Sequence, residues 1–188
     1  MALEEASRRA LLQVARESIQ RRLTGNRIEP VAAMEDAAFD QPRASFVTLK
    51  RQGALRGCIG TLEAQRMLLQ DVIHNARAAA FHDPRFTPLS LMELPEVAIE
   101  ISVLSPSAPL PVRDRTELLA RLEPGRHGLI LQDGANHATF LPAVWDALPE
   151  PERFLAELLQ KAGLARAHWS ETLRFSTYTT ESFGEAGN

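Results

Sequence analysis

ASFVTLKR at 44–51 and ALRGCIGTL at 54–62, joined by Gln52-Gly53, form the stretch whose reading decides the fold. Apolar and polar residues alternate in both segments, as they do in strands with one buried face. Gln52-Gly53 reads as a tight turn, so 44–62 is expected to form a β-hairpin. Alternation sends Leu55 and Ile59 towards the core and leaves Arg56 and Cys58 on the opposite face. Gly57 and Gly60 bracket Cys58. Glycine inside a strand marks a bulge or the close approach of another backbone or a ligand. Arg56 lies two residues from Cys58, where its cation would favour a thiolate. The competing reading is a small buried hydrophobe, the common state of a free cysteine.

Outward from this hairpin, 3–23 carry apolar residues at helical spacing, with Arg8, Arg9, Arg16, Arg21 and Arg22 on the other positions. Gly25 and Asn26 are expected to end that helix, and a loop to follow over 30–42. Residues 65–81 read as a second helix, stopped by Asp83-Pro84. Residues 97–104 have strand composition, and SPSAPLP at 105–111 is the candidate lobe boundary. Asp114 is expected to cap a short helix to 122, with Glu117 in the capping-box position. Segments 127–132 and 137–142 flank Asp133-Gly134-Ala135-Asn136 as a second hairpin. Pro151 opens a helix to 161, and a last strand is expected near 172–180. The order is no βαβ alternation. It gives an α+β fold of mostly antiparallel sheet with packed helices, in layered-sandwich form.

Composition bounds the function. The 188 residues are 45% hydrophobic and 24% charged, enough for a sizeable core without metal or disulfide. A single cysteine fits a reducing, cytoplasmic setting. The charged N-terminus lacks a signal-peptide core, and no apolar run spans a bilayer, so no membrane role is expected. The formal net charge of −3 argues against a general nucleic-acid binder. His74, His82, Asp83, Glu100 and His127 lack the spacing of a metal site, and no metal is expected. Phosphate-loop and Gly-x-Ser-x-Gly signatures are absent.

Beyond Cys58, three positions carry candidate chemistry. In HDPRF at 82–86, Asp83 and Arg85 pair with each other or with backbone, or Arg85 offers its planar fork to a small anionic ligand. Glu100 needs a cation if buried within its apolar strand, with Arg56 or Arg85 the obvious partner; otherwise it is a general base. His127, between Gly125 and Gly128, is either a loop histidine or the base that serves Cys58.

LRGCIGTLE at 55–63, NARAAAFHDPRFTPL at 75–89, EVAIEISVLSP at 96–106, GRHGLILQDG at 125–134, TFLPAVW at 139–145 and FLAELLQKAGL at 154–164 together resemble the AMMECR domain family, also called AmmeMemoRadiSam system protein A. The resemblance covers nearly the whole chain, as one AMMECR-type domain over 1–188. It implies two closely joined lobes with a cleft near LRGCIG. It groups Arg56, Gly57, Cys58, Gly60, Asp83, Arg85, Glu100 and His127 as a site. It also implies a link to a MEMO-like protein and a radical-SAM enzyme; this chain lacks the Cys-x3-Cys-x-x-Cys motif of the latter. Ala143 stands where family members often carry glutamine, and a later-helix cysteine is missing, which counts against a mechanism needing two thiols.

Three functions compete on these residues. In the first, the chain is an enzyme or enzyme component acting on a small or modified substrate. Cys58, Glu100 and His127 then do chemistry, Arg56, Gly57, Gly60, Asp83 and Arg85 bind substrate, and no cofactor is identified. In the second, the chain is a non-catalytic partner or presenting module for the MEMO-like and radical-SAM proteins. The third is RNA binding through the N-terminal arginines.

Overall fold

The computed structural model describes residues 3–25 and 37–185, so Asn26 and most of the expected 30–42 loop lie outside the described residues. By its internal contacts the chain divides after Leu104 and again after Thr180, where the last strand returns to the first unit. The order of elements is α1 (Glu5–Thr24), β1 (Ser45–Arg51), β2 (Ala54–Gly60), α2 (Leu68–Phe81), β3 (Val97–Leu104), β4 (Ala108–Pro109), α3 (Arg115–Arg121), β5 (Gly128–Asp133), β6 (Asn136–Phe140), α4 (Pro151–Lys161), β7 (Arg174–Tyr178) and β8 (Thr180–Gly184). The fold is α+β, with two four-stranded sheets.

In the first unit the strand order is β2-β1-β3-β8. β1 pairs antiparallel with both β2 and β3. Val47 and Leu49 of β1 and Ile99 and Ile101 of β3 point to one face, where Leu11, Ala15 and Ile19 of α1 and Leu68, Val72 and Ala76 of α2 cover them. Helical spacing on α1 and α2 and strand alternation on β1 and β3 thus bury the same core. The opposite face carries Phe46, Thr48 and Lys50 of β1 and Ala98, Glu100 and Ser102 of β3, all half-buried.

In the second unit the order is β4-β7-β5-β6, around a core of Leu118, Leu129, Leu131, Trp145, Phe154 and Leu158. Trp145 and Phe154 stack with centroids 3.7 Å apart. Asp114 caps α3 by accepting from the Glu117 N–H at 2.8 Å.

Two expectations are corrected. The single strand near 172–180 is two, β7 and β8, which part at Thr179 and belong to different sheets. Leu55 does not face the core but is 43% exposed. Its reversal has a local cause: Leu49 pairs with Gly57 while Lys50 pairs with Leu55, so Arg56 is an extra residue bulged out of β2. A bulge inverts the side-chain parity beyond it. Leu55 therefore shares the outward face with Lys50.

Candidate functional site

Cys58 sits on β2, the edge strand of the first sheet. Because of the bulge its partner on β1 is Thr48, and Thr48 in turn pairs with Glu100 on β3. Cys58, Thr48 and Glu100 therefore stand in one row across three strands, on the face away from α1 and α2. The Thr48 hydroxyl donates to the Cys58 Sγ at 3.3 Å. With strands about 4.8 Å apart, the outer members of the row are roughly 10 Å apart. That spacing excludes a direct bond between thiol and carboxylate, and Thr48 stands between them in the row.

The backbone of Cys58 is held from outside the sheet. Its N–H and C=O point away from β1, because those groups alternate sides along a strand. The Cys58 N–H donates to Asp83 Oδ2 at 2.9 Å, and Arg85 Nη2 donates to the Cys58 carbonyl at 3.2 Å. Asp83 and Arg85 are joined by a fork, Nε to Oδ1 at 2.9 Å and Nη2 to Oδ2 at 2.7 Å. The DPR turn thus occupies the place of a neighbouring strand for one residue. The Arg85 side chain, then the Cys58 and Arg85 amides, hold the Asp83 pKa well below the usual carboxylate range, against the opposing effect of burial.

Arg56 and Glu93 form a second pair, Nε to Oε1 at 2.9 Å. Glu93 also accepts from the Ser90 N–H and hydroxyl, each at 2.9 Å. The Arg56 bond foremost, with the Ser90 amide, brings the Glu93 pKa down to about 2. The Phe86 ring lies between two guanidinium groups, 5.8 Å from that of Arg56 and 5.6 Å from that of Arg85. Neither arginine pairs with Glu100, contrary to the sequence expectation. Glu100 instead bonds Lys50 at 2.7 Å. Lys50 is its diagonal neighbour on the same face, closer than any group on the edge strand.

The glycines have packing partners. A Cβ on Gly57 would lie 2.2 Å from the Ala79 carbonyl oxygen of α2, and one on Gly60 would lie 2.2 Å from the Phe46 ring. His127 belongs to the second unit. Its Nδ1 accepts from the Glu123 N–H at 3.2 Å, and its carbonyl accepts from Trp145 Nε1 at 2.7 Å. Cys58, Asp83 and Arg85 are brought together, Arg56 adjoins them through Phe86, and Glu100 lies two strands away.

Sequence reasoning missed Thr48, Glu93 and Phe46. It also missed Asp133, which accepts from His168 Nε2 at 2.7 Å and from Ser170 at 2.9 Å. Serine and histidine there share one carboxylate rather than forming a relay. A cavity of about 540 Å³ opens beside Glu100, lined by Arg16, Lys50, Gly53, Ala98 and Glu185 among others; its walls do not include Cys58. Among the described residues no three His, Cys, Asp or Glu side chains converge as a metal site, and no helix is long and apolar enough to cross a membrane.

Fold and site together define an α+β protein of two sheet-bearing units whose single cysteine is clamped on a sheet edge. The chain belongs to the AMMECR1 family, whose model matches residues 12–183. A protein of Methanothermobacter thermautotrophicus is 37% identical over 161 residues, covering 83% of this chain and 82% of its own length. A Methanosarcina acetivorans protein is 34% identical, covering 97% and 94%. The crystal structure of an uncharacterized protein from Pyrococcus horikoshii is similar, with a TM-score of 0.82 and 34% identity over 94% of this chain and 90% of that one.

Proposed function

We propose that the chain is an enzyme, or a component of one, that acts on a small or modified substrate at the outward face of the first sheet. The observation that carries this reading is the row of Cys58, Thr48 and Glu100 on a face that α1 and α2 leave open. The Thr48 hydroxyl, donating to the sulfur, fixes where Cys58 presents it. Cys58 is the nucleophile or the group that grips the substrate, and the Asp83–Arg85 clamp fixes its backbone. Arg85 is 54% exposed on its side chain, and its Nη1 makes no hydrogen bond among the described residues, so that edge of the fork is open to an anionic substituent. Glu100 and Lys50 work on the far end of the substrate, over a cavity within the roughly 300–1,000 Å³ range of small-molecule sites.

Alkylation with iodoacetamide tests the reading. Cys58 should react faster at neutral pH than a free cysteine, and Thr48→Val should slow it with little change in stability. A rate that matches free cysteine, or a thiol that reacts only after unfolding, removes the main support.

A second reading is a presenting module that docks a MEMO-like protein and a radical-SAM enzyme. Leu55, Leu91 and Met92 favour it: they flank the Arg56–Glu93 pair in sequence and are exposed, Met92 by 85%. In this reading co-purification with both proteins survives Cys58→Ser and is lost in Leu55→Asp/Met92→Asp. RNA binding through α1 has less to work with, since Arg8, Arg16 and Arg21 are engaged by Glu181, Glu185 and Glu17.

A further inference from the structure

We propose that the outward face of α2 carries a second site, separate from Cys58, which binds the phosphate group of a small phosphomonoester. Arg66, Gln70, His74, Arg77 and His82 recur at helical spacing and line a cavity of about 430 Å³. This face is opposite the one that buries Leu68, Val72, Ala76 and Ala79 against the sheet. Among the described residues no carboxylate lines the cavity. Asp71 comes within 3.5 Å of Arg66 and is otherwise taken up by Ser45, Thr61 and Asn75.

Arg77 is the feature that points to a ligand. Its Nε and Nη2 are both shielded from solvent, and neither has a hydrogen-bond partner among the described residues. Five arginines elsewhere in this unit meet carboxylates: Arg8, Arg16, Arg51, Arg56 and Arg85. Leaving two guanidinium nitrogens dry and unpaired is costly unless an acceptor arrives. Burial foremost, and then the neighbouring Arg22 cation, lower the Arg77 pKa, so its surroundings hold excess positive charge. A turn of the Arg77 side chain into the cavity it lines would let a bound anion relieve both penalties.

The chemistry favours a phosphomonoester. It brings about −2 charge and three acceptor oxygens to a fork, a second arginine and two imidazoles. The cavity lies in the range of about 300–1,000 Å³ that encloses a small molecule. A nucleic-acid groove would need a basic stripe that tracks many phosphates. Here the cations are gathered along one helix and its two ends.

Calorimetry with phenyl phosphate on the full chain tests the site. Binding in the millimolar range or tighter is expected, with competition by inorganic phosphate. Arg77→Gln should weaken it about tenfold, the loss of a charge-assisted fork contact. His74→Ala, at an exposed position, should weaken it several-fold with the thermal midpoint unchanged, and this variant guards against misfolding of the first. Cys58→Ser should leave it unaltered, which separates this site from the thiol chemistry proposed above. The proposal is overturned if phenyl phosphate does not bind at millimolar concentration or if both α2 variants bind as wild type does. It is also overturned if a short RNA binds more tightly than the monoester with a steep salt dependence.

Discussion

Asp83→Asn tests the clamp on the Cys58 strand. Each carboxylate oxygen is used twice: Oδ1 accepts from the Arg85 N–H and Nε, and Oδ2 from the Cys58 N–H and Arg85 Nη2. Asparagine has one carbonyl oxygen. Whichever way the amide turns, its NH2 meets two donors, and two bonds are lost. A hydrogen bond to a charged group contributes about 1.5–3 kcal/mol. Arg85, half-exposed, recovers much of its share from water, whereas the Asp83 side chain is only 2% exposed. The expected net loss is therefore about 2–3 kcal/mol, out of a total stability of roughly 5–15 kcal/mol. The pH dependence has a definite sign. The folded Asp83 pKa lies below its unfolded value of about 3.9, so its contribution is complete above that value and disappears as pH falls through the folded one. The gap between wild type and variant should be flat above about pH 5 and should close on further acidification. Urea unfolding by far-UV circular dichroism gives the magnitude. Hydrogen exchange of a peptide over 54–62 localises it, because both tryptophans, Trp145 and Trp169, lie in the other unit. The reasoning fails if Asp83→Asn stays within about 0.5 kcal/mol of wild type, if exchange at 54–62 is unchanged, or if the gap widens in acid.

Gly57→Ala forces a methyl to within 2.2 Å of the Ala79 carbonyl oxygen, a backbone atom that cannot swing aside, and should cost about 2–3 kcal/mol by chemical denaturation. Glu93→Gln leaves the largely buried Arg56 without its anion and should cost about 2 kcal/mol near neutral pH. Because the Glu93 pKa is about 2 when folded, that cost should fade as acid takes the wild type through it. Tyr178 is pushed up to about 12 by burial, and its hydroxyl donates to the Phe140 carbonyl at 3.1 Å. Tyr178→Phe should cost about 1 kcal/mol, seen by tryptophan fluorescence in the second unit.

The hairpin, the helix stop at Asp83, the strand at 97–104 and the helix opened by Pro151 were legible because each rests on periodicity or a cap. The bulge was not, although the sequence held a clue. Counting from the turn, with Gln52 at φ 52° and Gly53 at φ 78°, regular pairing sets Leu49 opposite Arg56 and Val47 opposite Cys58. That register would send an arginine to the core beside Leu49. One inserted residue removes the conflict, returns Gly57 to Leu49 and gives Cys58 Thr48. Alternation read on β2 alone, without its partner, could not reveal this. The partners of the ionic residues were illegible for another reason. Glu93 and Lys50 meet Arg56 and Glu100 through tertiary placement that no local spacing encodes.

The glycines around the cysteine gain a specific meaning from the second unit. Gly128 lies under the ring of Tyr178, its partner across the β5–β7 pair, as Gly60 lies under Phe46 across the β1–β2 pair. In both sheets an aromatic ring fills the space that a missing side chain leaves, a device that stabilises glycine within strands. Gly57 serves a different approach, that of α2 to the sheet. The GCIG segment is therefore shaped on both faces by packing: helix backbone beneath Gly57, an aromatic ring over Gly60. The outward face opens into the cavity beside Lys50 and Glu100, and Cys58 and Thr48 stand on the same face in the row that ends at Glu100. A ligand of this unit would find polar side chains there, and the glycines would matter by holding the strand that presents them.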